Sequence, residues 1–273
     1  MTPTGRSESP RPRTFLMCPP DYFAVEYAIN PWMTGAEPVN HALARAQWQR
    51  LRQTYLDLGH EVRTITPVPG LPDMVFAANG GTAIGGAALG ARFYHPERAA
   101  EGPAYLSWLR ANGYPEAAAA DFVNEGEGDI VFAQRVIFAG HGFRTDPGAD
   151  RYVSDFFGLP VISLRLVLPH YYHLDTALVV LDADTAAYYP PAFDDAGRAA
   201  LASVFGELIE AKDEDAEELG LNGLSDGRNV VMPVQAGHLA EAISEAGFNV
   251  VPVDLSEFKK AGGGPKCATL ELR

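Results

Sequence analysis

Pairs of short apolar strands joined by a tight polar turn, each followed by a helix and a further strand, recur along this sequence. That unit decides what the chain can fold into. DIVFAQRVIFAGHG and TALVVLDADTAAYY each read as two strands turning at AQR and DAD. DMVFAANGGTAIGG, RTFLMC, HEVRTITPV, PVISLRLV, RNVVMPV, FNVVPVDL and CATLEL are further strand-like runs, rich in Val, Ile and Phe and bounded by Gly, Pro or Asp. Between them lie helical stretches. The clearest has Leu43, Trp48, Leu51, Tyr55 and Leu58 at helical spacing before a stop at Gly59. EGPAYLSWLRANG, DAGRAALASVFG and AGHLAEAISEAGF follow the same rule. A doubly wound parallel sheet would alternate single strands with helices and place a glycine fingerprint after its first strand. No GxGxxG or P-loop follows a strand here, and GGTAIGGAALGA reads as a hairpin of small residues.

The 273 residues carry no obvious linker, so one α/β domain of repeated modules over 13–273 is expected, preceded by a tail at 1–12 without an apolar stretch. No apolar run approaches the roughly 18 to 20 residues that cross a bilayer. Two cysteines and no export signal point to the cytoplasm with free thiols. The net charge of -14 disfavours nucleic acid and anionic membranes as partners and suits a small cationic substrate. The sequence leaves a homo-oligomer open.

Three polar clusters sit at the ends of apolar segments: LPDMVFAAN with Asp73 and Asn79, VNEGEGD with Glu125, Glu127 and Asp129, and YYHLDTAL, where His173 and Asp175 alternate on an entering strand. Carboxylates among glycines and apolar strands are costly to bury unless a cation meets them, and a ligand could supply it. Cys267 follows three glycines in GGGPKCATLEL, which reads as a mobile loop carrying a thiol. HExxH and CxxC are absent, and His95 and His141 stand apart without metal-ligand spacing, so no metal is indicated. Cys267 as nucleophile, His173 as general acid/base and acidic groups to hold a cation remain.

EGEGD, then HLD, then GGGPKC near the end of the sequence resembles the guanidine-modifying enzymes: arginine deiminase, dimethylarginine dimethylaminohydrolase, glycine amidinotransferase and arginine dihydrolase. MCPPDYFAVEYAINPWM and LPDMVFAAN are most similar to arginine dihydrolases and actinobacterial dimethylargininase-like proteins. The resemblance implies a five-bladed α/β-propeller (pentein) of pseudo-fivefold ββαβ modules. It also implies cysteine-dependent hydrolysis of arginine or an Nω-methylated arginine through a covalent S-alkylthiouronium, with no cofactor. The nucleophile falls on Cys267, the general acid/base on His173 and the guanidinium-gripping carboxylate on Glu125, helped by Asp129 and Asp175. Arg98 and Arg144 match positions resembling those that hold the substrate carboxylate. Asn30, Asp73 and Asn79 match polar contacts, and Ala261 precedes the thiol. EGEGD is one residue longer than the EGGD of many relatives, which leaves Glu125 and Glu127 as alternatives.

Asn79 stands where many deiminases and dimethylargininases carry an acid, and that departure resembles the dihydrolases, which continue to ornithine, ammonia and carbon dioxide. An amide donates as well as accepts, so it suits a ureido group held for a second attack. Arginine deiminase, amidinotransferase and a non-catalytic binding propeller are the alternative readings.

Overall fold

The structure is a computed structural model and describes residues 11–273. Thr14–Met17 (β1) is followed by helix His41–Asp57 (α1) and Glu61–Thr64 (β2). The second stretch runs Gly81–Ile84 (β3), Ala87–Gly90 (β4), Glu101–Ala111 (α2) and Ala118–Ala119 (β5). The third is Ile130–Ala133 (β6), Val136–His141 (β7), Ala149–Phe157 (α3) and Val161–Arg165 (β8). Leu178–Val180 (β9), Thr185–Tyr188 (β10), Asp195–Val204 (α4) and Glu207–Glu210 (β11) form the fourth, trailed by the short helix Asp213–Glu217 (α5). The last is Leu224–Ser225 (β12), Asn229–Pro233 (β13), Gly237–Glu245 (α6) and Asn249–Val253 (β14), and after Ser256–Lys259 (α7) the chain reaches Leu270–Leu272 (β15).

One rule governs the pairing. In the second to fifth stretches the first two strands are antiparallel, and the third lies parallel to the second after a helical crossover. The first stretch lacks its leading strand, and β15 supplies it, antiparallel to β1 while β2 runs parallel. Five ββαβ units result, in one six-stranded and three three-stranded sheets, with Leu272 of β15 facing Ala83 of β3 to join the first two units.

The hairpins turn where the sequence places them. At Gln134, φ is +58°, and the AQR turn returns β6 onto β7. On α1, Asn40 caps the first turn by accepting from the Leu43 amide at 3.1 Å, and Trp48, Leu51 and Tyr55 are buried while Leu43 stays exposed. Gly59 follows the helix end at φ +85°.

Three segments differ from the sequence reading. DMVFAAN is not a strand but two successive 3₁₀ turns, Pro72–Val75 and Ala77–Gly80, whose carbonyls at Asp73 and Met74 accept from Arg98 and Tyr105 instead of from a neighbouring strand. His173 and Asp175 do not alternate on a strand, because Leu174–Thr176 is also a 3₁₀ turn and sends them to different partners. Helix α3 was not expected at all. Its apolar residues Ala149, Tyr152, Val153, Phe156 and Phe157 do fall at helical spacing, and Val153, Phe156 and Phe157 pack into one apolar cluster.

Two large apolar clusters hold the units together. One joins the third, fourth and fifth, including Phe138, Leu174, Phe193 and Leu239. The other packs Phe15, Leu51, Tyr55, Phe76 and Phe258 around Cys267, each large side chain contributing about 1.5–3 kcal/mol by burial. Of the expected tail, residues 1–10 lie outside the described residues. Among the described residues no helix is long and apolar enough to cross a membrane.

Candidate active site

The candidate residues come from equivalent places. Ahead of the first strand of each unit runs a tight turn, and these turns carry Asn79 before β3, Glu125 to Asp129 before β6, His173 and Asp175 before β9, Asn222 before β12 and Cys267 before β15. All seven named side chains are buried. A turn leaves side chains and amides free of the ladder, so five turns can aim unlike groups at one place.

Cys267 is held by two partners. Its Sγ donates to Asp175 Oδ2 at 3.2 Å and accepts from Asn222 Nδ2 at 3.1 Å. Burial pushes the thiol well above its ordinary range, and Asp175 adds to this by its charge and by accepting the thiol proton, against the opposing Asn222 amide. Burial likewise raises Asp175 to about 6, although Lys266, Cys267 and Asn222 each lower it. Asp175 Oδ1 is buried with no hydrogen-bond partner among the described residues. The two groups therefore hold a proton that an incoming cation would help to expel.

His173 belongs to a second, charged set. Its Nε2 lies 2.7 Å from Glu125 Oε2, and Arg144 Nη1 donates to the same oxygen at 3.0 Å. Burial alone would raise Glu125, but the hydrogen bond and positive field of His173, with Arg144 and Arg98, outweigh it and pull the group down to about 2. The imidazole Nδ1 is buried and unpartnered among the described residues. Gly128 lies beside it: a Cβ there would sit 3.2 Å from Nδ1 and 2.4 Å from Asn79 Nδ2, so only glycine leaves that space open. Asp129 is tied down, accepting from Thr145 Oγ1 at 2.7 Å and from the Leu174 amide at 3.0 Å, and burial lifts it to about 6.

The arginines are engaged. Arg98 grips Glu101 with two nitrogens at 2.9 and 2.8 Å and donates to Asn79 Oδ1 at 2.9 Å, while Asn79 Nδ2 donates to the Glu125 carbonyl. Asp73 accepts from Tyr27 and lies 4.0 Å from Arg98. Arg144 also donates to the Ile29 carbonyl at 2.7 Å and lies over the Tyr172 ring. Asn30 donates to the Ala261 carbonyl at 3.1 Å and to Tyr172. The geometry thus gathers Glu125, His173, Arg144, Asn79, Arg98 and Asp73 into one hydrogen-bonded group, and Asp175 with Cys267 into another.

Glu127 faces elsewhere. It accepts from Lys266 at 2.7 Å, Arg273 at 3.0 Å and the Glu271 amide at 2.9 Å, which separates it from His173. A cavity of about 1210 Å³ on that side is lined by Glu127, Lys266, Ser225 and Asp226, and of the other expected site residues Asp175 alone reaches it. The glycines before the thiol are also not an open, mobile loop. Gly262 to Gly264 are buried; the Gly264 amide donates to Asn222 Oδ1 at 2.9 Å, and a Cβ at 263 would strike the Phe76 ring at 2.2 Å. Their smallness serves close packing. Sequence reasoning missed Asn222, Glu101 and Tyr172. Asn222 meets its partners across the fold and Glu101 lies in an ordinary helix, whereas Tyr172 stands directly before His173 in YYHLDTAL and could have been singled out there.

Comparison with known proteins agrees with this chemistry. Residues 20–273 match the family model described as N,N dimethylarginine dimethylhydrolase, eukaryotic. The chain is 51% identical over 264 residues to the N(G),N(G)-dimethylarginine dimethylaminohydrolase of Mycobacterium tuberculosis, covering 97% of this chain and 87% of that protein. It is 37% identical to the bifunctional arginine dihydrolase/ornithine cyclodeaminase ArgZ of Synechocystis, with 94% of this chain covered and 37% of that longer protein. The crystal structure of the N-terminal domain of ArgZ, covalently bound to a reaction intermediate, superposes with a TM-score of 0.91 at 36% identity, covering 96% of this chain and 98% of the domain.

Proposed function

The chain belongs to the dimethylarginine dimethylaminohydrolase family of guanidine-modifying hydrolases, and on that premise we propose that it hydrolyses the guanidinium C–N bond of an Nω-methylated arginine, with Cys267 as nucleophile. The observation that carries the reading is the thiol bonded to Asp175 and Asn222 in a buried site that also holds His173, Glu125 and Arg144. Asp175 and Asp129 receive the cation. Its positive charge favours transfer of the thiol proton to Asp175, which accepts the thiol hydrogen bond, and the thiolate attacks the guanidinium carbon. His173, oriented by Glu125, hands a proton to the departing amine, leaving the S-alkylthiouronium on Cys267. Water, activated by the now neutral imidazole, adds to the same carbon, and the C–S bond breaks to give citrulline and the free thiol. Overall, dimethylarginine and water yield citrulline and dimethylamine. Arg98 and Arg144 hold the substrate carboxylate, and Asn30, Asp73, Asn79 and Ala261 fix its position.

Asn79 favours a second reading, arginine dihydrolase activity, in which a further hydrolysis takes citrulline to ornithine, ammonia and carbon dioxide. Incubating the protein separately with L-arginine and asymmetric dimethylarginine, and scoring ornithine, citrulline and dimethylamine by mass spectrometry, decides between them. Citrulline formed only from the methylated substrate supports the first reading, and ornithine from arginine supports the second. No product from either defeats both.

Affinity for the cation should depend on pH. Asp129 and Asp175, each raised to about 6 by burial, keep their protons below that pH and carry no charge to meet a guanidinium. The dissociation constant of L-arginine on the Cys267→Ser variant, measured by calorimetry, is expected to rise about tenfold or more from pH 7 to pH 5. A flat profile would show that these carboxylates do not bind the cation.

The five ββαβ units support closure into a five-bladed propeller that serves as a single catalytic domain over 13–273. The small cationic substrate and the reducing chemistry of a free thiol fit a cytoplasmic enzyme.

A further inference from the structure

In the expected site residues, the fifth unit is unrepresented, yet the turn ahead of its first strand carries the fully buried Asn222. Its side-chain amide is completely engaged. Oδ1 accepts from the Gly264 amide at 2.9 Å and the Cys267 amide at 3.0 Å, while Nδ2 donates to the Asp175 carbonyl at 3.0 Å and to Cys267 Sγ at 3.1 Å. This network fixes the amide's orientation, because only an oxygen can face two backbone N–H groups, so a nitrogen must face the sulfur. The Asn222 carbonyl also accepts from the Lys266 amide at 3.1 Å. Leu219, three residues earlier, sits at φ +55°, in the left-handed region that leucine rarely occupies, and its carbonyl accepts from the Asn222 amide at 2.8 Å. Strain at that turn supports a side chain aimed for a purpose.

We propose that Asn222 is a positioning residue for the reaction: it fixes the sulfur of Cys267 in its attacking place and, through its N–H, stabilises the thiolate once the proton has left. The inference rests on Cys267 being the nucleophile. The groups that face the thiol are the Asp175 carboxyl, which accepts its hydrogen bond, the Gly264 backbone amide and the Tyr172 hydroxyl. Neighbouring Lys266 is committed to Glu127 and the Thr269 carbonyl, and His173 to Glu125. Asn222 is thus the side chain that donates a hydrogen bond to the sulfur. A donor to a thiolate is a charge-assisted bond, and losing one shifts the thiol by about one pH unit.

The test compares wild type with Asn222→Asp, which keeps the shape and removes the donor, and Asn222→Ala, which removes the whole amide. Iodoacetamide labelling of Cys267 is followed against pH by peptide mass mapping, beside kcat, KM and a thermal melt. Both folded variants should label Cys267 about tenfold more slowly at pH 8, with a profile displaced to higher pH, and should lose kcat while KM changes by less than about threefold. Unchanged or faster labelling overturns the proposal, since a residue that merely secured the loop would expose the thiol when removed. Failure of both variants to fold overturns it too, making Asn222 a residue of the fold. Labelling is read without turnover, so an inactive wild type would defeat the proposed function and leave this comparison intact.

Discussion

Replacing Cys267 with serine lowers turnover by on the order of 10⁴-fold or more while the protein melts where the wild type does. Activity falls because a hydroxyl does not ionise near neutral pH, and the site offers no strong base to compensate. The carboxylate beside it, Asp175, is itself raised to about 6 and matched to a thiol rather than to an alcohol. The fold survives because serine can reproduce both side-chain contacts of the sulfur, donating to Asp175 and accepting from Asn222, without changing the Asn222 bond to the backbone N–H of residue 267. Rapid acid quench followed by mass spectrometry gives the complementary reading. Wild type should show a substrate-derived mass added at Cys267, and the variant none. Full activity in the variant would remove the covalent mechanism altogether.

Glu125→Gln is the second large effect, and it strikes both activity and stability. The carboxylate accepts from His173 and Arg144 and also from the Tyr94 amide at 3.2 Å. Glutamine has one accepting oxygen where glutamate has two, so its NH₂ must face at least one of those donors. Arg144, only 4% exposed, would lose its charged partner, and breaking a buried pair in this way costs about 3–5 kcal/mol. His173 would lose the group that orients it, and kcat should fall by about 10²–10⁴-fold. Acid titration separates this from a packing defect. Glu125 is held at about 2 in the folded protein, below its usual 4.5, so its support is complete above about pH 4.5 and is lost as pH falls toward 2. The wild-type melting temperature should therefore drop more steeply than the variant's across that window. Parallel curves would mean that the charge of Glu125 does not matter.

Local patterns explain what could be read in the chain. The hairpin at DIVFAQRVIFAGHG and the amphipathic face of α1 depend on residues within one element, and both stand where the sequence puts them. Cys267, His173 and Glu125 could be singled out as candidates because a carboxylate, an imidazole and a thiol stand in that chain order. The choice between Glu125 and Glu127 was not, because it depends on backbone direction through a turn. Gly126 at φ +56° sends the first acid toward His173, and the second meets Lys266 and Arg273. DMVFAAN misleads because its apolar side chains are buried as in a strand while its carbonyls serve Arg98 and Tyr105. Asn222 gave no signal, since its partners Asp175 and Cys267 lie 47 and 45 positions away. The three glycines before the thiol look flexible in one dimension and prove to be spacing in three.

The pairing of β1 with β15 bears on how this protein comes into being. Arg13 bonds to Glu271 across 258 positions, and the turn that presents the thiol leads directly into that strand. Contacts of such separation close slowly, because the whole intervening chain must be ordered or looped out before they stabilise anything. Four units can gather from neighbouring segments, but Cys267 is seated only when the most distant parts of the chain meet. A partly folded intermediate would hold the histidine and the carboxylates and still be chemically silent, so activity doubles as a report that folding has finished.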